Sequence, residues 1–160
     1  PIVELLINGR SLGKKKPNCG EAKYKVKYQA GEIKAIAYDM SGKVTGESIL
    51  KSADRDVSVQ LLPEEKVICK GDIAYISVVV ADKSGIVESN ADTKINISVE
   101  GGELLAFGSA NPCTEEKYDA GCFTTYYGRS LAVVYGTNAG NITVKAASEL
   151  GSSLCKIEVR

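Results

Sequence analysis

Three acidic side chains close together in the sequence are the first candidates for chemistry. Glu115, Glu116 and Asp119 fall within one short stretch, and hydrolysis of a glycosidic bond uses two carboxyl groups about 5–9.5 Å apart across the sugar. Adjacent acids at a loop tip, without a pocket that shields them from water, keep their ordinary acidity. We therefore expect this cluster to be a solvated loop, and the sequence predicts no catalytic residue.

Aromatic side chains are the second group of candidates, because a flat, rigid ring offers a large contact area to a sugar at a small entropic cost. Tyr118, Phe123, Tyr126 and Tyr127 lie close together in the segment 111–128. Unstructured segments longer than about 12–15 residues are uncommon and often functional. These four residues are therefore the best candidates for carbohydrate contact, although we expect tyrosine packing on the edge of the sandwich instead. In a strand, the two neighbouring tyrosines would point to opposite faces.

The composition excludes several kinds of site. The chain has no histidine, which excludes Ser-His-Asp and Cys-His catalysis and histidine metal ligands. Its five cysteines include no C-x-x-C pair, so the sequence predicts no zinc site, and no other metal or cofactor. We expect buried, reduced thiols. A disulfide between Cys113 and Cys122 is the alternative.

Charge is distributed unevenly along the chain. Residues 1–53 hold ten Lys and Arg against five Asp and Glu, whereas residues 54–160 hold ten against fifteen. Lysines at 14–16, 23, 25 and 27 form a cationic face, which we expect to be solvated or paired with an acidic neighbouring domain, with binding of an acidic glycan or nucleic acid as the alternative. Neither half is basic enough to predict a nucleic-acid partner, and no apolar run is long enough to predict a membrane span.

Alternation of apolar and polar residues predicts β-strands throughout, without helical periodicity. Asn8-Gly9 between two short strands is typical of a type I′ turn, in which both residues need a positive φ. Tyr24, Val26 and Tyr28 alternate with lysines and predict a further strand. Its two tyrosines, and Tyr38 in the next strand, are expected to be buried.

The polar segment 51–56 lacks periodicity and is the best candidate for a domain boundary. Beyond it, residues 75–81 predict a strand whose inward-facing set begins at either Tyr75 or Ile76 and continues at every second residue. Short strands at this spacing, separated by Gly, Asn and Asp turns, are typical of an antiparallel β-sandwich. We therefore predict an all-β fold with domains at 1–53 and 54–160.

Five runs of the sequence stand out as motifs: VELLINGRSLG at 3–13, EIKAIAYD at 32–39, DIAYISV at 72–78, GSANP at 108–112 and GRSLAVV at 128–134. In the same order they resemble motifs in the C-terminal region of glycoside hydrolase family 2 enzymes of the β-galactosidase type. The chain departs from the family at Ser109-Ala110, where a glycine is usual, and in having Cys113 and Cys122.

The resemblance implies two tandem immunoglobulin-like β-sandwich domains, the first apparently truncated and lacking its opening strand, from the C-terminal end of a bacterial enzyme. The family's two catalytic glutamates belong to an upstream barrel, no part of which is in this chain, so no catalytic residue is carried over. The resemblance further implies that the parent is a retaining enzyme that hydrolyses O-glycosidic bonds and is either cytoplasmic or exported. In that enzyme this chain would be a non-catalytic accessory region whose partner is the barrel. A carbohydrate-binding module that binds an oligosaccharide, or an immunoglobulin-like repeat of a bacterial surface or adhesion protein, are the alternatives.

Overall fold

The protein is all-β, as predicted. The structure, a computed structural model, describes residues 1–160 and contains thirteen strands and no helix. Accordingly, nothing in it meets the length and hydropathy that a membrane-crossing helix requires. The chain forms two compact units, Pro1–Ser52 and Ala53–Arg160.

The first unit is one antiparallel sheet of four strands in the order β2-β1-β3-β4. Its strands are β1 (Ile2–Ile7), β2 (Arg10–Lys15), β3 (Glu32–Tyr38) and β4 (Val44–Lys51). The turn between β1 and β2 has φ of 50° at Asn8 and 77° at Gly9, which confirms the predicted type I′ hairpin. The Asn8 side chain also accepts a hydrogen bond from the Glu32 N–H at 2.8 Å, so the turn is tied to β3.

The two faces of this sheet differ in character. One is mixed: it carries ion pairs between neighbouring strands, including Lys34–Glu47 at 2.8 Å, together with Leu6, Ile36 and Ile49. The other carries apolar side chains, because residues paired across strands share a face. They are Val3, Leu5, Ile7, Ile33, Ala35, Ala37 and Leu50. Of these only Ile7 is buried and Leu50 is 71% exposed, so the chain covers its own apolar face only in part.

The predicted strand from Tyr24 to Tyr28 is wrong. Residues 22–29 pair with no strand, and the Tyr24 hydroxyl instead donates to the Val3 carbonyl at 2.7 Å. Burial of the tyrosines was also predicted wrongly, since Tyr28 is 80% exposed and Tyr24 and Tyr38 are only half-buried. The alternating pattern is present, but it lacks a strand to pair with.

The second unit is a β-sandwich of two sheets. One has the order β10-β8-β12-β13-β6 and the other β5-β7-β11-β9, and every pair is antiparallel except β13 with β6. The strands are β5 (Val57–Pro63), β6 (Val67–Ile68), β7 (Ile73–Asp82), β8 (Lys94–Glu100), β9 (Glu103–Gly108), β10 (Cys122–Thr124), β11 (Arg129–Tyr135), β12 (Gly140–Ser148) and β13 (Gly151–Val159).

The core lies between these sheets. Alternate residues of each strand point inward, and the largest side chains without solvent exposure are Phe107 and Phe123 together with Ile76, Ile95, Ile142 and Ile157. Burying such a side chain contributes about 1.5–3 kcal/mol each. The inward set of β7 contains Ala74 and Ile76, so Tyr75 points outward.

A buried carboxylate closes the turn after β7. Asp82 accepts hydrogen bonds from the N–H groups of Ser84 and Ile86 through Oδ1, at 2.8 and 2.9 Å, and from that of Asp54 through Oδ2 at 3.0 Å. These bonds, that of Asp54 foremost, lower the pKa of Asp82 from its ordinary value of 3.8. The charged carboxylate therefore stabilises both the turn and the start of the second unit.

Candidate functional site

The segment 111–128 is not the unstructured loop that its length suggested. Strand β10 lies within it and pairs with β8. The backbone N–H of Phe107 bonds to the Tyr118 carbonyl at 2.7 Å, and that of Ile97 to the Gly121 carbonyl at 2.7 Å. The segment is therefore attached to both sheets of the sandwich.

The four aromatic candidates divide into two pairs. Phe123 has no solvent exposure and belongs to the core, so it offers no surface to a ligand. Tyr118 stacks on it, with ring centroids 5.1 Å apart and an interplanar angle of 14°. Because one face of the Tyr118 ring is used in this way, Tyr126 and Tyr127 are the pair with more surface available for contact.

Tyr126 and Tyr127 lie at the tip of the hairpin that leads into β11. Tyr127 and Gly128 have φ of 52° and 70°, and Tyr126 exchanges backbone hydrogen bonds with Arg129, the geometry of a type I′ turn. The two tyrosines do not lie in a strand, so the expectation of opposite faces does not apply to them: the chain reverses here, and the ring centroids are 4.4 Å apart. Holding a bulky L-residue in the left-handed region costs about 1–2 kcal/mol.

The hairpin tip is held by the loop that precedes β8. Gly128 donates to the Ala91 carbonyl at 3.0 Å and accepts from Val80 at 2.9 Å. The buried Thr125 hydroxyl donates to the same Ala91 carbonyl at 2.7 Å and accepts from the Thr93 N–H at 2.9 Å. A side chain on Gly128 would collide with the Glu88 carbonyl. The two tyrosines are therefore presented by a rigid backbone.

Charged and polar groups surround this pair. The Tyr127 side chain, by hydrogen bonding and then by charge, raises the pKa of Tyr126, and Cys113 and Asp92 add smaller effects. Asp92 is exposed and takes part in no ion pair. Tyr126 and Arg129 are cross-strand partners, so their side chains leave the hairpin on the same side.

One member of the acidic cluster Glu115, Glu116 and Asp119 has a structural role. Glu116 accepts hydrogen bonds from both the N–H and the hydroxyl of Thr124, each at 3.0 Å, whereas Glu115 and Asp119 are exposed. No group of three or more acidic or cysteine side chains is arranged to hold a metal ion. We find in this cluster no pair of carboxyl groups enclosed by a pocket.

The cysteines are less buried than the sequence predicted. All five cysteines are free, and none is buried, since Cys19, Cys69 and Cys113 are exposed and Cys122 and Cys155 are half-buried. The predicted burial of the thiols is therefore wrong.

In the cationic face, Lys14 and Lys15 lie over tyrosine rings, at 4.0 and 4.6 Å from the centroids of Tyr38 and Tyr24.

A surface that the sequence did not single out lies on the outer side of the sheet β5-β7-β11-β9. Cross-strand pairs such as Tyr75–Val133 and Ile73–Tyr135 share this side, and Leu62 and Leu131 both lie opposite Ser77. We call this surface the apolar outer face. It comprises Leu62, Ile73, Tyr75, Leu131, Val133 and Tyr135, the first four being 50, 43, 42 and 39% exposed.

The opposite sheet has a different outer side. Lysine and glutamate side chains alternate there with serine, threonine and asparagine along β8, β12 and β13. Lys145 forms an ion pair with Glu100 at 3.0 Å, and the large apolar residues on this side are Leu154 and, on β6, Val67. The outer side of the sheet β5-β7-β11-β9 is therefore the more apolar of the two, and an exposed apolar surface of this kind is typical of a sheet that packs against further protein.

Comparisons with known proteins agree with this architecture. Residues 59–153 match the family described as Glycoside hydrolase family 2 C-terminal domain 5, and residues 1–46 match a domain of unknown function, DUF4982. Among curated proteins, the chain is similar to beta-galactosidase BoGH2A of Bacteroides ovatus, with 29% identity over 153 residues that cover 92% of this chain and 18% of the relative.

Solved structures that resemble this chain are also glycoside hydrolases. A glycosyl hydrolase family 2 member from Bacteroides cellulosilyticus DSM 14838 is 30% identical with a TM-score of 0.91, over 98% of this chain and 22% of that one. A beta-glycosidase from Bacteroides vulgatus is 27% identical with a TM-score of 0.85, over 99% of this chain and 21% of that one. The chain thus spans about a fifth of the length of these relatives.

Proposed function

The chain belongs to the glycoside hydrolase family 2 C-terminal domain 5 family, and we propose that it is a non-catalytic accessory region of a bacterial enzyme of glycoside hydrolase family 2. The parent enzyme hydrolyses O-glycosidic bonds in the manner of a β-galactosidase. The domains predicted from the sequence at 1–53 and 54–160 are proposed to be two immunoglobulin-like domains of that enzyme.

A non-catalytic role fits the chemistry of the side chains. Glycoside hydrolysis requires an acid and a second carboxylate that face each other across a sugar. Among the clustered acids, Glu116 is engaged by Thr124 and its neighbours are solvated. The most deeply buried carboxylate, Asp82, is occupied by three backbone N–H groups.

The apolar outer face is the observation that carries the proposal. Sandwich sheets whose outer side meets water alternate apolar and polar residues, as the sheet containing β8 and β13 does. The apolar outer face breaks that alternation on three adjacent strands: Tyr75 pairs directly with Val133 and Ile73 with Tyr135, and Ser77 is the polar residue between Leu62 and Leu131. We propose that the catalytic part of the parent enzyme covers this face.

The length of the relatives supports this choice of partner. About four-fifths of each relative lies outside the region matched by this chain, so a relative has ample further protein to cover an apolar sheet. A second copy of the chain is the alternative partner, and it would produce a dimer of the isolated 160-residue chain.

A charge placed on this face tests the proposal. In the intact parent enzyme, Leu131→Glu is expected to reduce activity and thermal stability, because a carboxylate would be buried at the contact. Leu154→Glu is the matched control, since Leu154 lies on the outer side of the opposite sheet and is 51% exposed. It is expected to behave as the unaltered enzyme does.

The isolated chain separates docking from folding. Leu131→Glu is expected to leave the thermal transition of the 160-residue chain within a few degrees of the unaltered chain, because the site is solvated there. The proposal is wrong if the two glutamate variants are indistinguishable in the intact enzyme, or if the isolated chain dimerises through this face.

A further inference from the structure

The tip formed by Tyr126 and Tyr127 has the features of a binding surface. The two rings are adjacent, with centroids 4.4 Å apart and planes inclined by 56°, and Tyr127 is 60% exposed. Aromatic rings at the edge of a sandwich present apolar area, and their hydroxyls form hydrogen bonds at its rim. The tip therefore offers a ligand both kinds of contact.

The turn itself does not require an aromatic residue. The same chain builds the same kind of turn at Asn8-Gly9, where asparagine tolerates a positive φ better than most residues. At the second turn, tyrosine occupies that position with a φ of 52°. Strain of this kind is concentrated at functional sites, so the φ of Tyr127 points to a role for its ring beyond the turn.

The support beneath the tip limits how far the rings can move. Hydrogen bonds from Gly128 and Thr125 to the Ala91 carbonyl hold both sides of the turn. A rigid aromatic surface loses little entropy when a ligand binds, which increases affinity without further contacts. The arrangement is thus preorganised.

The neighbouring charges indicate the class of ligand. Asp92 follows Ala91, whose carbonyl binds the Gly128 N–H of the tip, and it supplies an acceptor without an ion-pair partner. Arg129, also without one, supplies donors on the side of the hairpin shared with Tyr126. One acceptor, one set of donors and two rings suit a molecule with both hydroxyl groups and an apolar face. We propose that Tyr126, Tyr127, Asp92 and Arg129 form a site for a neutral saccharide. This inference rests on the proposed function, because a glycoside hydrolase would bring such ligands to the chain.

Titration of the 160-residue chain by ¹H–¹⁵N NMR tests this site. The probes are lactose and cellobiose, which are neutral, and sodium glucuronate, which is anionic. We expect saturable shifts at the amides of Asp92 and residues 126–129 with at least one neutral disaccharide, with a Kd on the order of 1 mM. Binding of glucuronate alone, or no saturable shift with either disaccharide, would overturn the proposal.

Tyr127→Asn is the decisive variant, because it removes the ring and places a residue that favours this φ. It is expected to fold at least as stably as the unaltered chain and to weaken saccharide binding about tenfold or more. Tyr28→Ala, which removes an exposed tyrosine from the first unit, is the control and should bind normally. Unchanged binding by Tyr127→Asn contradicts the site. Because the isolated chain is titrated, failure here is distinguishable from failure of docking through the apolar outer face.

Discussion

The ring of Tyr118 lies parallel to that of Phe123, with centroids 5.1 Å apart, and so covers one end of the sandwich core. Phe123 meets Phe107 on another side, edge to face, at 6.5 Å. Tyr118, which lies outside the strands, thus packs against an aromatic pair contributed by β9 and β10. This relationship explains why two of the four aromatic residues in the segment serve packing.

Gly108 allows this stack to form. A Cβ at this position would overlap the Tyr118 ring, so we predict that Gly108→Ala displaces Tyr118 and lowers the free energy of unfolding by about 1–3 kcal/mol. The matched control is Gly46→Ala in β4, where a Cβ would have nothing within 4 Å. Chemical denaturation measures both. Equal stabilities of the two variants would refute the packing account.

The side chain of Ser109 is expected to destabilise the folded chain. Its hydroxyl is buried without a hydrogen-bond partner, and an unpaired buried polar group costs about 1–3 kcal/mol. Ser109→Ala is therefore expected to raise the melting temperature of the isolated chain. A lower melting temperature would mean that the hydroxyl has a partner in solution.

Acid stability is expected to depend on Asp82. Because its pKa is lowered in the folded chain from 3.8, the unfolded chain binds the proton more readily, so the contribution of Asp82 is complete above pH 3.8 and is lost as pH falls through the lowered pKa. In Asp82→Asn, the Oδ1 atom can still accept hydrogen bonds from the turn, but the amide NH₂ group faces the Asp54 N–H and cannot accept from it. The variant is therefore expected to be less stable than the unaltered chain at pH 7 and to lose less stability on acidification.

Asp56→Asn is the control for this prediction, since Asp56 forms an exposed ion pair with Lys83 at 2.7 Å and such pairs contribute little. Urea unfolding at pH 7, 4 and 3 compares the variants. The account fails if Asp56→Asn flattens the pH dependence as much as Asp82→Asn does.

The proposed boundary at 53/54 predicts a proteolytic pattern. Arg55 is exposed and lies outside the strands, so limited trypsin digestion is expected to cut within 51–55 and leave a resistant piece that contains β5 to β13. Lysines in the unpaired segment 22–29 should also be cut early. Mass spectrometry of the time course identifies the pieces. Early cuts within β7 or β11 would contradict a separately folded second unit.

The sequence predicted those parts of the fold that depend on local patterns. Asn8-Gly9 specified its turn because both residues favour a positive φ, and the alternating strands appeared where expected. Alternation also appeared at Tyr24, Val26 and Tyr28, yet it describes where side chains point and not whether a neighbouring strand exists. Strands β6 and β10, with two and three residues, are too short for periodicity to reveal.

The candidate site was predictable only in part. Clustered aromatic residues identified the segment, but periodicity could not separate Phe123 in the core from Tyr127 at a tip. Gly128 was the available signal, because a glycine at the second position of a two-residue turn places its predecessor in the same turn. The apolar outer face had a signal too: β7 is apolar at consecutive positions, as strands covered on both faces are.

Side-chain footprinting by hydroxyl radicals tests most directly whether the apolar outer face is covered in the parent enzyme. Tyr75, which is 42% exposed in this chain, is expected to be oxidised in the isolated 160 residues and protected several-fold in the intact enzyme. Tyr127 is expected to stay reactive in both. Equal oxidation of Tyr75 in the two samples would contradict the docking account, and protection of Tyr127 in the intact enzyme without saccharide would assign the tyrosine tip to a protein contact.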